Sequence, residues 1–185
     1  MLISDQRLHN IAVMSLQTGT ELARTDRPII DPRNLTIVAF ELSGENSDVQ
    51  PSLLRVDDIR EYGSLGFIVD SSDEFVAVGD VIKLQQVYDY DFRLVDLPVV
   101  DTDKRKLGRV GSFSLEADGF VIQQLSVRRP LLQSLSETEV LVHRKQIVSV
   151  SDERIVVKSG RNEAIEPVRE QIRNYSNPFR QTTSS

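Results

Sequence analysis

Displaced by 85 residues, the stretch ELARTDRPIIDPRNLTIVAFEL (21–42) lies over KLGRVGSFSLEADGFVIQQLSV (106–127) without a gap. Leu22 falls on Leu107, Arg24 on Arg109, Ile30 on Leu115, Leu35 on Phe120, Ile37 on Ile122, Phe40 on Leu125 and Leu42 on Val127. A repeat of apolar positions is the strongest constraint this chain offers, because two segments with one core pattern must bury that core in one way. The match extends on both sides. Ala12-Val13-Met14 lies over Leu97-Pro98-Val99, and after a three-residue change in loop length 54–69 lies over 142–157. Charged residues differ freely between the copies, so what is repeated is a scaffold and not a reactive centre.

Within each copy, apolar and polar residues alternate, and the alternation breaks at Arg33-Asn34 or at Asp118-Gly119. Period-two runs around residues that tolerate a tight turn predict a long β-hairpin. A lead-in strand precedes it, and a second short hairpin ends near Val69 or Val157. Five or six short strands in each copy suit a small barrel, since closure removes exposed edges. The expected fold is all-β: two tandem small β-barrels, at 1–78 and 93–160, joined by a helical linker at 79–92. Val81, Leu84, Val87 and Tyr88 set the helical period in that linker. In the tail 161–185, Ile165, Val168 and Ile172 predict a second helix before a polar, flexible end that holds Asn177-Pro178-Phe179.

The segment 97–127 resembles the PRC-barrel family. The residues that carry the likeness are the apolar Leu97–Val100, the Asp101–Asp103 turn, Gly108–Val110, the Asp118-Gly119 turn and the apolar Phe120–Val127. With the second copy, the likeness covers about residues 10–158. The first copy departs from the pattern: Ala23 and Thr25 stand where the second has Gly108 and Val110, and Pro28 and Pro32 interrupt its hairpin. Prolines cannot donate to a ladder, which predicts a bent or exposed edge there. That barrel is shared by the photosynthetic reaction centre H subunit and the ribosome maturation factor. The chain shows neither the membrane helix of the first nor the extra N-terminal barrel of the second. The resemblance therefore implies a binding or adaptor fold and neither specific function.

The chemistry excluded is broad. The chain has no cysteine, hence no disulfide, thiolate metal site or cysteine nucleophile. No apolar run is long enough for a membrane span, and the first residues do not read as a secretory signal. A cytoplasmic location is expected. Neither a phosphate-cradling glycine motif nor a nucleophile elbow occurs. The two histidines, His9 and His143, lack an orienting partner in sequence, and Asp101 and Asp103 run into Lys104-Arg105-Lys106, which would oppose a metal ion. The reading is non-enzymatic, with no cofactor and no metal.

Charge divides unevenly. Residues 1–92 hold 7 Lys and Arg against 16 Asp and Glu, whereas 93–160 hold 11 against 9. Lys104, Arg105, Lys106 and Arg109 begin the second long hairpin, Arg128 and Arg129 end it, and Arg144-Lys145 are expected in the next strand. Antiparallel pairing would bring Lys106, Arg109 and Arg128 to one barrel end. Such an end suits an acidic protein partner, including the acidic first half of a second copy in a homo-oligomer. The alternative is an accessory factor that contacts RNA or the ribosome there. Phe113 and Phe120 are expected in the core and so leave no aromatic platform for bases. Tyr88, Tyr90 and Phe92 are expected either as packing between the barrels or, if exposed, as a partner anchor. An unidentified protein partner is the first expectation.

Overall fold

The computed structural model describes residues 2–44, 51–129 and 139–159. The period-two pattern becomes strand throughout: β1 Leu2–Ser4, β2 Ala12–Ser15, β3 Glu21–Asp31, β4 Thr36–Ser43, β5 Ser52–Arg55, β6 Glu61–Gly63, β7 Gly66–Val69 and β8 Phe75–Ala77. After the helix α1 (Ile82–Tyr90) come β9 Pro98–Asp101, β10 Lys106–Glu116, β11 Val121–Arg128, β12 Val140–His143, β13 Ile147–Val150 and β14 Ile155–Val157. The protein is β-rich. Its main hydrogen-bonded path runs β13-β14-β9-β10-β11-β4-β3-β2-β7-β6, and among the described residues the two end strands do not pair. No helix among the described residues is long and apolar enough to cross a membrane.

The repeat holds at the level of register. Arg24 faces Ser43 as Arg109 faces Arg128, and Ile30 faces Ile37 as Leu115 faces Ile122. Phe40 faces Leu54 on β5 as Leu125 faces Val142 on β12. The lead-in strands shift by one position against the sequence alignment. Val13 runs parallel to Phe67 and Val99 parallel to Ile155, so Val13 corresponds to Val99 and not to Pro98. The cause is the connection into the long hairpin, residues 16–20 in the first copy but only 102–105 in the second. A gapless alignment cannot absorb that extra residue, and in a strand one position exchanges the two faces.

Pro28 is accommodated where the ladder already slips. The β3–β4 register shifts between Thr25 and Pro28, and the β10–β11 register shifts between Val110 and Ser112 at the matching place. A bulge frees the partner strand from needing the missing donor. Thr25 is likewise fitted to its place. Its buried hydroxyl takes the Ile11 N–H at 2.9 Å and donates to the Leu8 carbonyl at 2.7 Å. In the second repeat, where Val110 has no hydroxyl, the Leu97 N–H reaches the Leu94 carbonyl directly at 3.4 Å.

The two repeats meet edge to edge. Thr36 of β4 pairs with Val121 of β11. On either side the Ile37 N–H donates to the Phe120 carbonyl at 3.0 Å and the Ile122 N–H to the Leu35 carbonyl at 2.9 Å. Under the 85-residue offset these two bonds are images of each other, so the junction carries a local pseudo-two-fold. Leu35 and Phe120 both adopt left-handed backbone, at φ 48° and 51°. One buried cluster passes through both repeats. At its centre Phe40, Phe67 and Phe120 pack with ring centroids 5.0–5.7 Å apart.

The pseudo-symmetry stops at the outer layer. The expected linker helix is shorter, Ile82–Tyr90 with a single tight turn at Val78–Asp80 before it. It does not lie between two barrels. Leu84 and Val87 cover Ile29, Ala39 and Leu53 on the outer face of β3, β4 and β5. The N-terminal β1, expected within the first unit, pairs with β10 of the second. The tail readings at Ile165, Val168, Ile172 and 177–179 lie outside the described residues.

Candidate functional site

The basic residues cluster as the hairpin pairing requires, yet acids are built in among them. Arg109 and Arg128 are direct partners across β10 and β11. Asp96, held in left-handed backbone at φ 67°, receives both: Arg109 donates to its carbonyl at 2.7 Å and Arg128 to its carboxylate at 3.0 Å. Lys104 and Arg105 sit in the turn after β9. There the buried Asp101 carboxylate accepts the Arg105 N–H at 2.8 Å, and the Arg105 guanidinium lies 3.4 Å from Asp103. Asp101 is therefore a turn-forming residue. Lys106 faces Val100, and Arg129 follows β11, exposed. Among the described residues no group of three or more His, Cys, Asp or Glu is placed to hold a metal ion. His9 and His143 are both exposed.

The aromatic trio separates. Phe92 enters the main core. Tyr88 is half-buried against the α1 cluster, with the Arg27 guanidinium 5.2 Å from its ring centroid. Tyr90 remains 50% exposed and stacks on Phe92 at 6.4 Å. It stands at a cavity of about 310 Å³ formed with Asp31, Arg33, Gln86, Val87 and Val150. Val150 belongs to the second repeat and the others to the first or to α1, so the cavity marks the junction. Asp31 is held by a two-pronged contact from Arg33, at 2.7–3.1 Å. That hydrogen bonding keeps the Asp31 carboxyl below its ordinary value despite burial, which pushes the other way. The sequence marks Arg33 only as a turn residue and carries no signal that the strand-end Asp31 is its partner.

A second cavity of about 390 Å³ opens on the opposite hairpin turn, among Val56, Asp57, Arg60, Glu61, Asp118, Gly119 and Phe120. Arg144, which the sequence places in a strand, stands instead in a tight turn at Arg144–Gln146. It reaches across to the first repeat, donating to the carbonyls of Asn34, Leu35 and Ile122. No protein-family model matches the chain, and no curated protein matches it in sequence.

Proposed function

We propose that this chain is a non-enzymatic binding module of two PRC-barrel-like units, which acts as an adaptor and takes a protein partner at the Tyr90 cavity. One observation carries the reading: an exposed tyrosine, braced by stacking on a buried phenylalanine, stands at the mouth of a cavity that both repeats line. A rigid aromatic beside a cavity is what an interface anchor needs, since little side-chain freedom is lost on binding. The matched registers of the two copies support a duplicated unit, and the PRC-barrel-like description of it rests on the residues at 97–127. The second reading, RNA contact through Lys104, Arg105, Lys106, Arg109, Arg128 and Arg129, is weakened by Asp96 and Asp103 standing among those cations.

The test is affinity capture from native lysate at low and high salt, with and without nuclease. The wild-type chain is compared with Tyr90→Ala and with a quadruple Lys104, Arg105, Lys106 and Arg109→Glu variant. A protein that survives salt and nuclease, and is lost only with Tyr90→Ala, is the expected result. Capture that Tyr90→Ala leaves intact, while nuclease and charge reversal abolish it, overturns the reading in favour of RNA.

A further inference from the structure

The pseudo-two-fold makes two equivalent clefts, each between one repeat's long-hairpin turn and the tight turn that follows β12 or β5 of the other repeat. The first is filled. Arg144 spans the carbonyls of Asn34, Leu35 and Ile122, so one planar guanidinium satisfies three backbone acceptors. In the second cleft the matching acceptors belong to Gly119, Phe120 and Ile37, and all three residues line the 390 Å³ cavity. The residue in the place of Arg144 is Val56, which cannot reach or bond them.

The charges around the clefts are exchanged as well. Lys145 and Arg33 stand beside the filled cleft, and their counterparts beside the open one are Asp57 and Asp118. Glu61 adds a third carboxylate to the lining. Among the described residues Asp57, Glu61 and Asp118 make no ion pair, while Arg60 is taken up by Asp70 at 2.6 Å. A cleft with the acceptors of an arginine site, no arginine of its own and an acidic rim is complementary to an arginine from outside.

We propose that the cleft of Val56, Asp57, Glu61, Asp118, Gly119 and Phe120 is a guanidinium site that takes an arginine side chain of a partner protein. It rests on the binding-module reading only for the source of the arginine, and it does not involve the Tyr90 cavity. The acidic rim repels the α-carboxylate of free L-arginine but attracts its α-ammonium, so the comparison of the free amino acid with a blocked arginine tells the two sources apart. Lysine fits less well, because a single ammonium cannot span three carbonyls in one plane.

The experiment is a titration of the ¹⁵N-labelled full chain with N-acetyl-arginine amide at low ionic strength, read from amide shifts. Expected are saturable shifts confined to residues 36–38, 56–61 and 118–121, with at least threefold weaker binding of N-acetyl-lysine amide and no tighter binding of free L-arginine. Val56→Arg supplies the missing guanidinium in cis and removes the response, and its own spectrum reports that it is folded. Asp118→Asn, which leaves the cleft's shape intact, weakens binding severalfold. The site is refuted if those amides do not move saturably, or move equally with the lysine probe or in Val56→Arg. Tighter binding of free L-arginine than of the amide would refute the partner as source while leaving the Tyr90 reading untouched.

Discussion

Phe120→Ala separates one shared core from two independent ones. Phe120 belongs to the second repeat, but its ring faces Phe40 and Phe67 of the first, 5.7 Å from each. It is only 6% exposed, so nearly the whole ring leaves packed surroundings when truncated. Core Phe→Ala changes cost about 3–5 kcal/mol, the lower values where the site can relax or admit water. Phe120 also lines the 390 Å³ cavity, which gives water a route to the vacated space and sets the expectation at about 3 kcal/mol. Its left-handed backbone costs an alanine as much as a phenylalanine, so no relief of strain offsets the loss. The assay is urea unfolding of wild type and variant, followed residue by residue from amide signals in both repeats. At about 3 kcal/mol per molar urea the midpoint falls by about 1 M. The fall is expected equally at Phe67 and Val69 and at Val127 and Ile155, in one transition. A fall confined to residues 98–157, with 12–69 unfolding at their former midpoint, would refute the shared core.

Two further outcomes follow from single contacts. Asp31→Asn removes the carboxylate that Arg33 grips. Because Asp31 titrates lower folded than unfolded, its stabilisation is complete above the unfolded value and fades as pH falls through the folded one. Thermal melts should therefore show the variant less stable at pH 7, with the deficit shrinking as the pH falls below the ordinary aspartate range; a deficit that stays constant into acid would exclude the ion pair as the cause. Thr25→Val makes the first repeat resemble the second, where the same N–H reaches its carbonyl directly. The cost should then stay near 1 kcal/mol by equilibrium denaturation, at the low end for a lost buried hydroxyl, because the backbone has a known way to close the gap.

The long hairpins were legible because burial on one face forces strict alternation, so each of the six pairs of the first hairpin, from Arg24–Ser43 to Asp31–Thr36, recurs in the second at the offset of 85. The lead-in strands were misaligned by one, since the connection at 16–20 is one residue longer than that at 102–105 and carries no apolar pattern to reveal it. The linker's helical period was visible, but its destination was not. Leu84 and Val87 read equally well against a neighbouring barrel or against β3–β5, and only the small Ala39 beneath them hints at the second. The basic cluster could be counted, whereas Asp96 as its common acceptor depends on a left-handed residue that composition does not show. The arginine-filled cleft was invisible because Arg144 lies over 100 residues from Asn34 and Leu35, two of the three carbonyls it binds.

Duplication with shared packing leaves only the unmatched positions free to specialise, and those positions concentrate where the halves meet or differ in cover. Leu53 is fully buried beneath α1, but its counterpart Leu141 on β12 is 57% exposed. Val56 leaves a cleft open where Arg144 closes its image, and Asp57 and Asp118 replace Lys145 and Arg33 beside it. None of these exchanges disturbs a residue of the common core, which explains how they could accumulate without loss of the fold. They also share a direction. Each seals one half of the molecule through its own side chains and leaves the other half with an equivalent place unfilled. Two identical halves would offer the same face twice, whereas this chain satisfies one face internally and presents the other, which is the asymmetry that a one-to-one contact of the kind proposed above requires.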